Sequence, residues 1–388
     1  MAVRGAGALD IGVFGARGIP STYSGYETFL TVLLPELASR GHQVTMYCRR
    51  GEVEPRPSYG GVRCVHLPTL RTKQLSTPTH GWLAAGRSLL ARHHVVLVVN
   101  VANTPPCLVA RALGQRIVLN TDGQEWKREK WSRPGRAVFL AMARLARRAA
   151  GGLVTDSVGM HEVYLSSFSA PSTVIPYCWT GIEPGRSAVL DRLGVRPREY
   201  FVVAGRLNPE NNVDAIAAAY LRETLPLPLV VLGEANYRSP VRRRLEELRC
   251  QDPRLVVAGH LGDRGDFARV LADARAYLHG HSVGGINPSL LEAMGCGARV
   301  LALDTVFNRE ALAGAGDYFD TPAGLGPLLR AVVDEPEAVS EARRREARAR
   351  ARTHFSLEVV TDAYEALMRA VARGSPWSHH ELPTRWHV

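Results

Sequence analysis

Solid runs of apolar residues alternate with segments whose apolar positions recur every three or four residues. Runs at 9–14, 43–48, 62–67, 95–100, 117–121, 153–155 and 173–176 are mostly Val, Ile and Leu, the mark of strands buried on both faces. Helices fill the gaps. In residues 26–40, Phe29, Leu30, Leu33, Leu34 and Leu37 fall on one face and Gly41 stops the helix. This alternation predicts an α/β fold with a doubly wound parallel sheet, whose ligands bind beyond the carboxyl ends of the strands. A turn-rich stretch at 180–198 interrupts it, and strands at 200–204, 229–232, 255–258, 276–278 and 300–303 predict a second sheet of the same kind. A charged helix over 341–352 reads as a solvated face or a contact for an anionic membrane. The next helix, to about residue 371, carries Val359, Ala363, Leu367 and Val371 on one face and needs a domain to pack against. Trp377 and Trp386 in the tail have no evident place.

Glycine turns follow several strand ends. After 276–278, Gly280, Gly284 and Gly285 free the backbone, and Asn287-Pro288 supplies an N-cap and a first helical residue. The unpaired N–H groups and positive dipole end of such a helix suit an anion. Glu292 would repel a phosphate, but it can accept two hydrogen bonds from ribose hydroxyls one sugar away. The pair suggests a nucleotide sugar, although the stretch alone also fits a strand–loop–helix corner with a surface glutamate. Residues 15–20 form a second glycine turn. It is not the dinucleotide fingerprint, because Pro20 and the polar residues 21–25 delay the helix. Glu27 then either complements the helix dipole or contacts a bound sugar. Asp122 stands in a polar cluster with Trp126 at a strand end, where it is a ligand contact or a turn aspartate ahead of Gly123. Arg206, after Gly205 at another strand end, is a surface ion-pair partner or a diphosphate clamp.

With 388 residues the chain exceeds one typical core, so two domains are expected. The net charge of +11 comes almost wholly from arginine, since the lysines are only Lys73, Lys127 and Lys130. A basic surface favours anionic partners such as a sugar diphosphate or a lipid-linked phosphate. Nucleic acid is the weakest of these, because the charges are dispersed and no stacking or recognition motif accompanies them. The six cysteines lack C-x-x-C spacing and read as core thiols of a reducing compartment. The sequence shows no signal peptide and no apolar run long enough to span a membrane, so a cytoplasmic protein is expected, with a peripheral contact at the inner membrane face left open.

Four separated stretches together resemble the retaining GT-B glycosyltransferases of family 4. They are the glycine turn after the first strand, G-R-L-x-P-E-x-N from Gly205 to Asn212, N-P-S-L-L-E-A-M-G-C-G from Asn287 to Gly297, and D-G-x-E-W-K-R from Asp122 to Arg128, the last shared with one subgroup. G-x-R-G-I-P-x-x-Y-x-G-x-E-T-F from Gly15 to Phe29 is similar to a subgroup that includes rhamnosyltransferases of polysaccharide assembly. The resemblance covers nearly the whole chain. It implies two Rossmann-like domains facing across a cleft: an acceptor-side domain at 1–178, a nucleotide-sugar domain at 179–355, and a helix and tail at 356–388 packing back on the first.

The resemblance also implies site residues. Glu292 would hold the donor ribose, while Arg206, His281 and the backbone of Gly284, Gly285, Ile286 and Asn287 would hold the diphosphate, with Gly15 and Gly18 opposite. Tyr26, Glu27 and Trp126 would contact the acceptor, and Asp122 takes the place where many relatives carry a histidine beside the donor sugar. Two departures stand out. Gly284 replaces the first of the family's paired glutamates, and Asn211 replaces a lysine that assists on the diphosphate. The implied reaction moves a sugar, L-rhamnose as first guess, from a thymidine or uridine diphosphate sugar to a glycan, lipid-linked or small-molecule hydroxyl with retention. Arg206 and helix N–H groups would stabilise the leaving diphosphate, and no metal or cofactor is called for. A phosphorylase is disfavoured because no lysine follows Lys130. A sugar-nucleotide epimerase, or a degenerate binding protein, is the alternative. A homodimer is left open.

Overall fold

The computed structural model describes residues 7–21, 24–70, 72, 75–128, 131–186, 188–234 and 239–374. Trp377 and Trp386 lie outside the described residues. The chain divides into two compact units, Met1–Tyr177 with Leu357–Val388, and Cys178–Ser356.

The first unit is built on an eight-stranded sheet: β1 (Asp10–Phe14), β2 (Gln43–Arg49), β3 (Ser58–Tyr59), β4 (Val62–Leu67), β5 (Val95–Val99), β6 (Ile117–Asn120), β7 (Gly152–Thr155) and β8 (Thr173–Val174). Its order is β3-β4-β2-β1-β5-β6-β7-β8, and only β3 runs antiparallel to its neighbour. Strands β5 and β6 are buried at every position, which matches their unbroken apolar sequence. The order reverses between β1 and β5, so the crevice of a doubly wound sheet opens at their carboxyl ends, where Gly15 follows β1. Helix Leu357–Arg373 packs beside helix Gly25–Ser39 and strands β5 to β7 of this unit.

Among the described residues the second unit has six strands, all parallel: β9 (Phe201–Ala204), β10 (Leu229–Leu232), β11 (Leu255–Gly259), β12 (Ala276–His279), β13 (Val300–Leu303) and β14 (Asp317–Phe319). Their order, β11-β10-β9-β12-β13-β14, reverses between β9 and β12. Arg206 follows β9 and the 280–287 turn follows β12, so both flank that crevice. The core contains Phe201, Val203, Ile216, Tyr220, Leu278 and Leu301.

The charged helix extends over Glu337–His354 and is solvated on one side only, since Ser340, Arg344, Ala347 and Ala351 are buried. Arg344 is 3% exposed and donates to the carbonyls of Ala272, Ala274, Arg275 and Gly297. Arg350 donates to the Glu310 and Ala311 carbonyls, and Arg348 and Arg352 both pair with Glu183. Much of the run is committed to contacts within the second unit, while Arg345 stays exposed. Cys250 departs from the core-thiol expectation, since it is exposed while the other five cysteines are buried.

Candidate functional site

In the second unit, Gly284 and Gly285 take the left-handed conformation at φ +78° and +68°, which glycine adopts without strain. They turn the chain into helix Pro288–Gly295, capped by Asn287 Oδ1, which accepts from the Ser289 N–H at 2.9 Å. The N–H groups of Gly284, Gly285, Ile286 and Asn287 form no hydrogen bond with another described residue. Four backbone donors in one turn at a helix start make an anion cradle. The Ile286 side chain is buried and contributes only its backbone.

Glu292 is 5% exposed in that helix. Its Oε1 accepts from Thr180 Oγ1 at 2.6 Å and from Arg264 Nη2 at 3.0 Å, and Arg264 also donates to Thr180 at 2.7 Å. Oε2 is buried with no partner. Burial raises the carboxyl pKa, and Arg264 and Thr180 pull against it. One oxygen thus fixes the side chain and the other is left without a donor. Thr180 and Arg264 were missed in the sequence because no motif links them to Glu292.

Arg206 is half-buried, and its guanidinium has no partner among the described residues. Its carbonyl accepts from Asn211 Nδ2 at 2.6 Å, while Asn211 Oδ1 meets His281 Nδ1 at 2.7 Å. Asn211 therefore ties the Arg206 loop to the 280–287 turn, a positioning job that the expected lysine could not do as an acceptor. His279, at the end of β12, pairs through Nδ1 with Tyr277 Oη at 3.0 Å. Its Nε2 is buried without a partner, and burial pushes the ring pKa down to about 3.

In the first unit, Gly15 (φ +109°) and Gly18 (φ +146°) need to be glycine for packing as well as backbone shape. A Cβ on Gly15 would collide with the Val99 carbonyl, and one on Gly18 would lie 2.9 Å from Cys48 Sγ. Glu27 is committed to this turn. Its Oε1 accepts from the Arg17 N–H at 3.0 Å and its Oε2 from Ser21 Oγ at 2.8 Å, so the 1% exposed side chain braces this turn. Arg49, also unforeseen, ends β2 and donates to the Gly15 carbonyl and to Ser76 and Thr77.

Asp122 sits just past β6 in the left-handed region at φ +57°, and Asn100 past β5 does the same at φ +73°. Two strained non-glycine residues on adjacent strand ends are what functional sites commonly hold. Asp122 Oδ2 accepts from Asn100 Nδ2 at 3.1 Å and Oδ1 from Tyr177 Oη at 3.2 Å. Loss of hydration and the carboxylates of Glu27 and Asp122 push the half-buried Tyr26 phenol well up. Trp126 is half-buried, with its ring near-perpendicular to those of Tyr164 and Phe168. Among the described residues no group of three or more His, Cys, Asp or Glu is placed to hold a metal.

Comparison with known proteins bears on the fold. Residues 24–178 match the profile of the Glycosyl transferase 4-like domain. The chain is 28% identical over 119 residues to the UDP-N-acetylglucosamine–peptide N-acetylglucosaminyltransferase GtfA subunit of Streptococcus gordonii, a match spanning 29% of this chain and 22% of that relative. Among solved structures, sucrose-phosphate synthase from Thermosynechococcus elongatus superposes with a TM-score of 0.78 at 16% identity, covering 95% of this chain and 100% of that one. Anabaena HepE in complex with UDP-glucose gives 0.73 at 13% identity, covering 91% and 97%. Trehalose 6-phosphate synthase from Burkholderia multivorans gives 0.70 at 12% identity, covering 95% and 99%. The fold is therefore the one these GT-B structures share, and residues 24–178 resemble the Glycosyl transferase 4-like domain.

Proposed function

We propose that the protein is a retaining glycosyltransferase that takes a sugar from a nucleoside diphosphate donor bound on the second unit. The observation that carries this reading is the pair formed by the buried, unpartnered Glu292 Oε2 and the four free N–H groups of Gly284 to Asn287. A carboxylate oxygen without a donor suits a ribose hydroxyl, and free N–H groups suit the diphosphate. The unpaired Arg206 adds a full positive charge where the departing phosphate gains negative charge, which is where preorganised electrostatics act most strongly. The UDP and UDP-glucose bound by HepE support a nucleotide sugar as co-substrate.

The acceptor hydroxyl belongs to a glycan, a lipid-linked glycan or a small molecule, and Asp122 and Tyr26 on the first unit are its contacts. L-Rhamnose is the first donor sugar to test, on the resemblance of the Gly15 to Phe29 segment. Calorimetric titration with UDP, thymidine diphosphate and GDP tests the donor site. One of them should bind wild type at least roughly tenfold more tightly than Glu292→Ala, the value of one or two hydrogen bonds to a charged acceptor. Equal affinity in both would refute the assignment of Glu292.

A further inference from the structure

The first unit presents a surface unlike any on the second. Helices Ser76–Ala91, Thr104–Ala112 and Arg133–Ala149 lie side by side, the first two and the last two in contact. Trp82, Leu83, Val109, Leu113, Val138 and Leu145 stand exposed on them, with Leu113 at 66% and Val138 at 51%. The second unit's exposed large apolar residues, among those described, are Val306 and Val339 alone. On helix Arg133–Ala149 the exposed Val138, Ala141 and Leu145 share one face, and the exposed Arg144 and Arg148 flank it.

Charge makes this surface one-sided. Residues 55–121 and 130–155 contain no Asp or Glu. Arg87, Arg133, Arg144 and Arg148 have no acidic partner among the described residues. A solvated helix face ordinarily mixes both signs, while an apolar stripe edged only by arginines complements a surface that is apolar within and anionic at its boundary. The same helix is joined to the candidate acceptor contacts. Trp131, just ahead of it, donates through Nε1 to Glu125 Oε2 at 2.6 Å, three residues past Asp122, and the Trp131 ring packs at a tilt against Phe139, 4.9 Å between ring centroids.

We propose that this three-helix face docks on an anionic lipid bilayer, with Val138 and Leu145 entering the headgroup boundary and the unpaired arginines meeting lipid phosphates. The inference rests on the reading that the first unit receives the acceptor, and it specifies a lipid-linked one. Docked this way, the protein meets its acceptor by diffusion in the plane of the membrane.

Co-sedimentation of the full chain with vesicles tests it, comparing phosphatidylcholine alone with phosphatidylcholine containing about 30% phosphatidylglycerol. Binding should be roughly tenfold stronger to the anionic vesicles and should fall with added salt. Val138→Asp with Leu145→Asp should lower it roughly tenfold at unchanged thermal stability, while Val306→Asp on the second unit should leave it intact. Arg144→Glu with Arg148→Glu is the second variant and should weaken binding without removing apolar area. No sedimentation with anionic vesicles, or equal sedimentation of wild type and both double variants, would overturn the proposal. So would retention on heparin without vesicle binding, which would point to an acidic macromolecule. Donor turnover with a soluble acceptor is measured in parallel. Its loss in wild type would refute the enzymatic reading, whereas vesicle binding alone decides the docking face.

Discussion

Glu292 is anchored at one oxygen and unpartnered at the other, a division of labour that a single carboxylate can make only because Thr180 and Arg264 fix it. Its raised pKa means that the folded state holds a proton more tightly than the unfolded chain, so its burial lowers stability progressively as pH rises above the ordinary carboxylate range. Glu292→Gln removes that loss. The variant should melt at or above wild type near pH 8 while binding the nucleotide roughly tenfold more weakly, as paired melting and titration would show. A lower melting temperature with unchanged affinity would assign Glu292 a purely structural role. Asp122→Asn keeps a residue type that tolerates φ +57° and so should fold normally, yet lose activity by roughly a hundredfold if the carboxylate contacts the reacting sugar. Glu292 was legible in the sequence because its place in a capped helix is local. Arg264 and Thr180, 28 and 112 positions away, were not. Glu27 shows the reverse failure: its position in the first helical turn fitted two roles, and neither foretold the hydrogen bonds from Arg17 and Ser21.

At the level of elements, the strands were read closely because solid apolar runs leave little ambiguity, and the exceptions are short. β3 has two residues and β14 three, too few for any pattern to register. The helix Glu337–His354 was read only in part, for a different reason. Its arginines dominate the composition, but Ser340, Arg344, Ala347 and Ala351 form one buried stripe, and small residues at that spacing leave room for a guanidinium to reach carbonyl groups. Arg344 there crosses to four carbonyls and has no hydrophobic substitute that satisfies them. Arg344→Met should destabilise the protein by about 3 kcal/mol, whereas Arg345→Met on the same helix should change it by less than about 0.5 kcal/mol. Urea unfolding of the two variants distinguishes a structural strut from a generic basic face.

Across the whole molecule, both units repeat one plan: the sheet reverses its order beside its first strand, and a glycine-bearing turn follows a strand at that point. The plan was readable from alternation alone, because strand and helix periods differ and repeat. Which side chains meet within each crevice was not, since those contacts join residues far apart in sequence. Each unit also buries a neutral histidine, His80 in the first and His279 in the second, both with pKa pushed down to about 3 by loss of hydration. Between that value and the usual one near 6.5, the unfolded chain binds more protons than the folded one. Stability should therefore fall as pH drops below about 6.5, by about 1.4 kcal/mol per pH unit for each histidine, and denaturant titrations from about pH 7 to about pH 5 would measure it. The raised carboxyl pKa values of Glu27 and Glu292 act in the opposite sense over that range, so the histidine contribution is read from His80→Gln and His279→Gln. Each variant should lose stability less steeply than wild type as pH falls. A slope unchanged in both variants would contradict the buried, neutral rings. The most direct measurement of the enzymatic claim is nucleoside diphosphate release from thymidine, uridine and guanosine diphosphate sugars, with and without a lipid-phosphate glycan acceptor, for wild type and Glu292→Ala. The account predicts release from one donor that depends on acceptor and falls in the variant. Nucleotide binding without release from any donor, or a donor sugar altered without release, would contradict it.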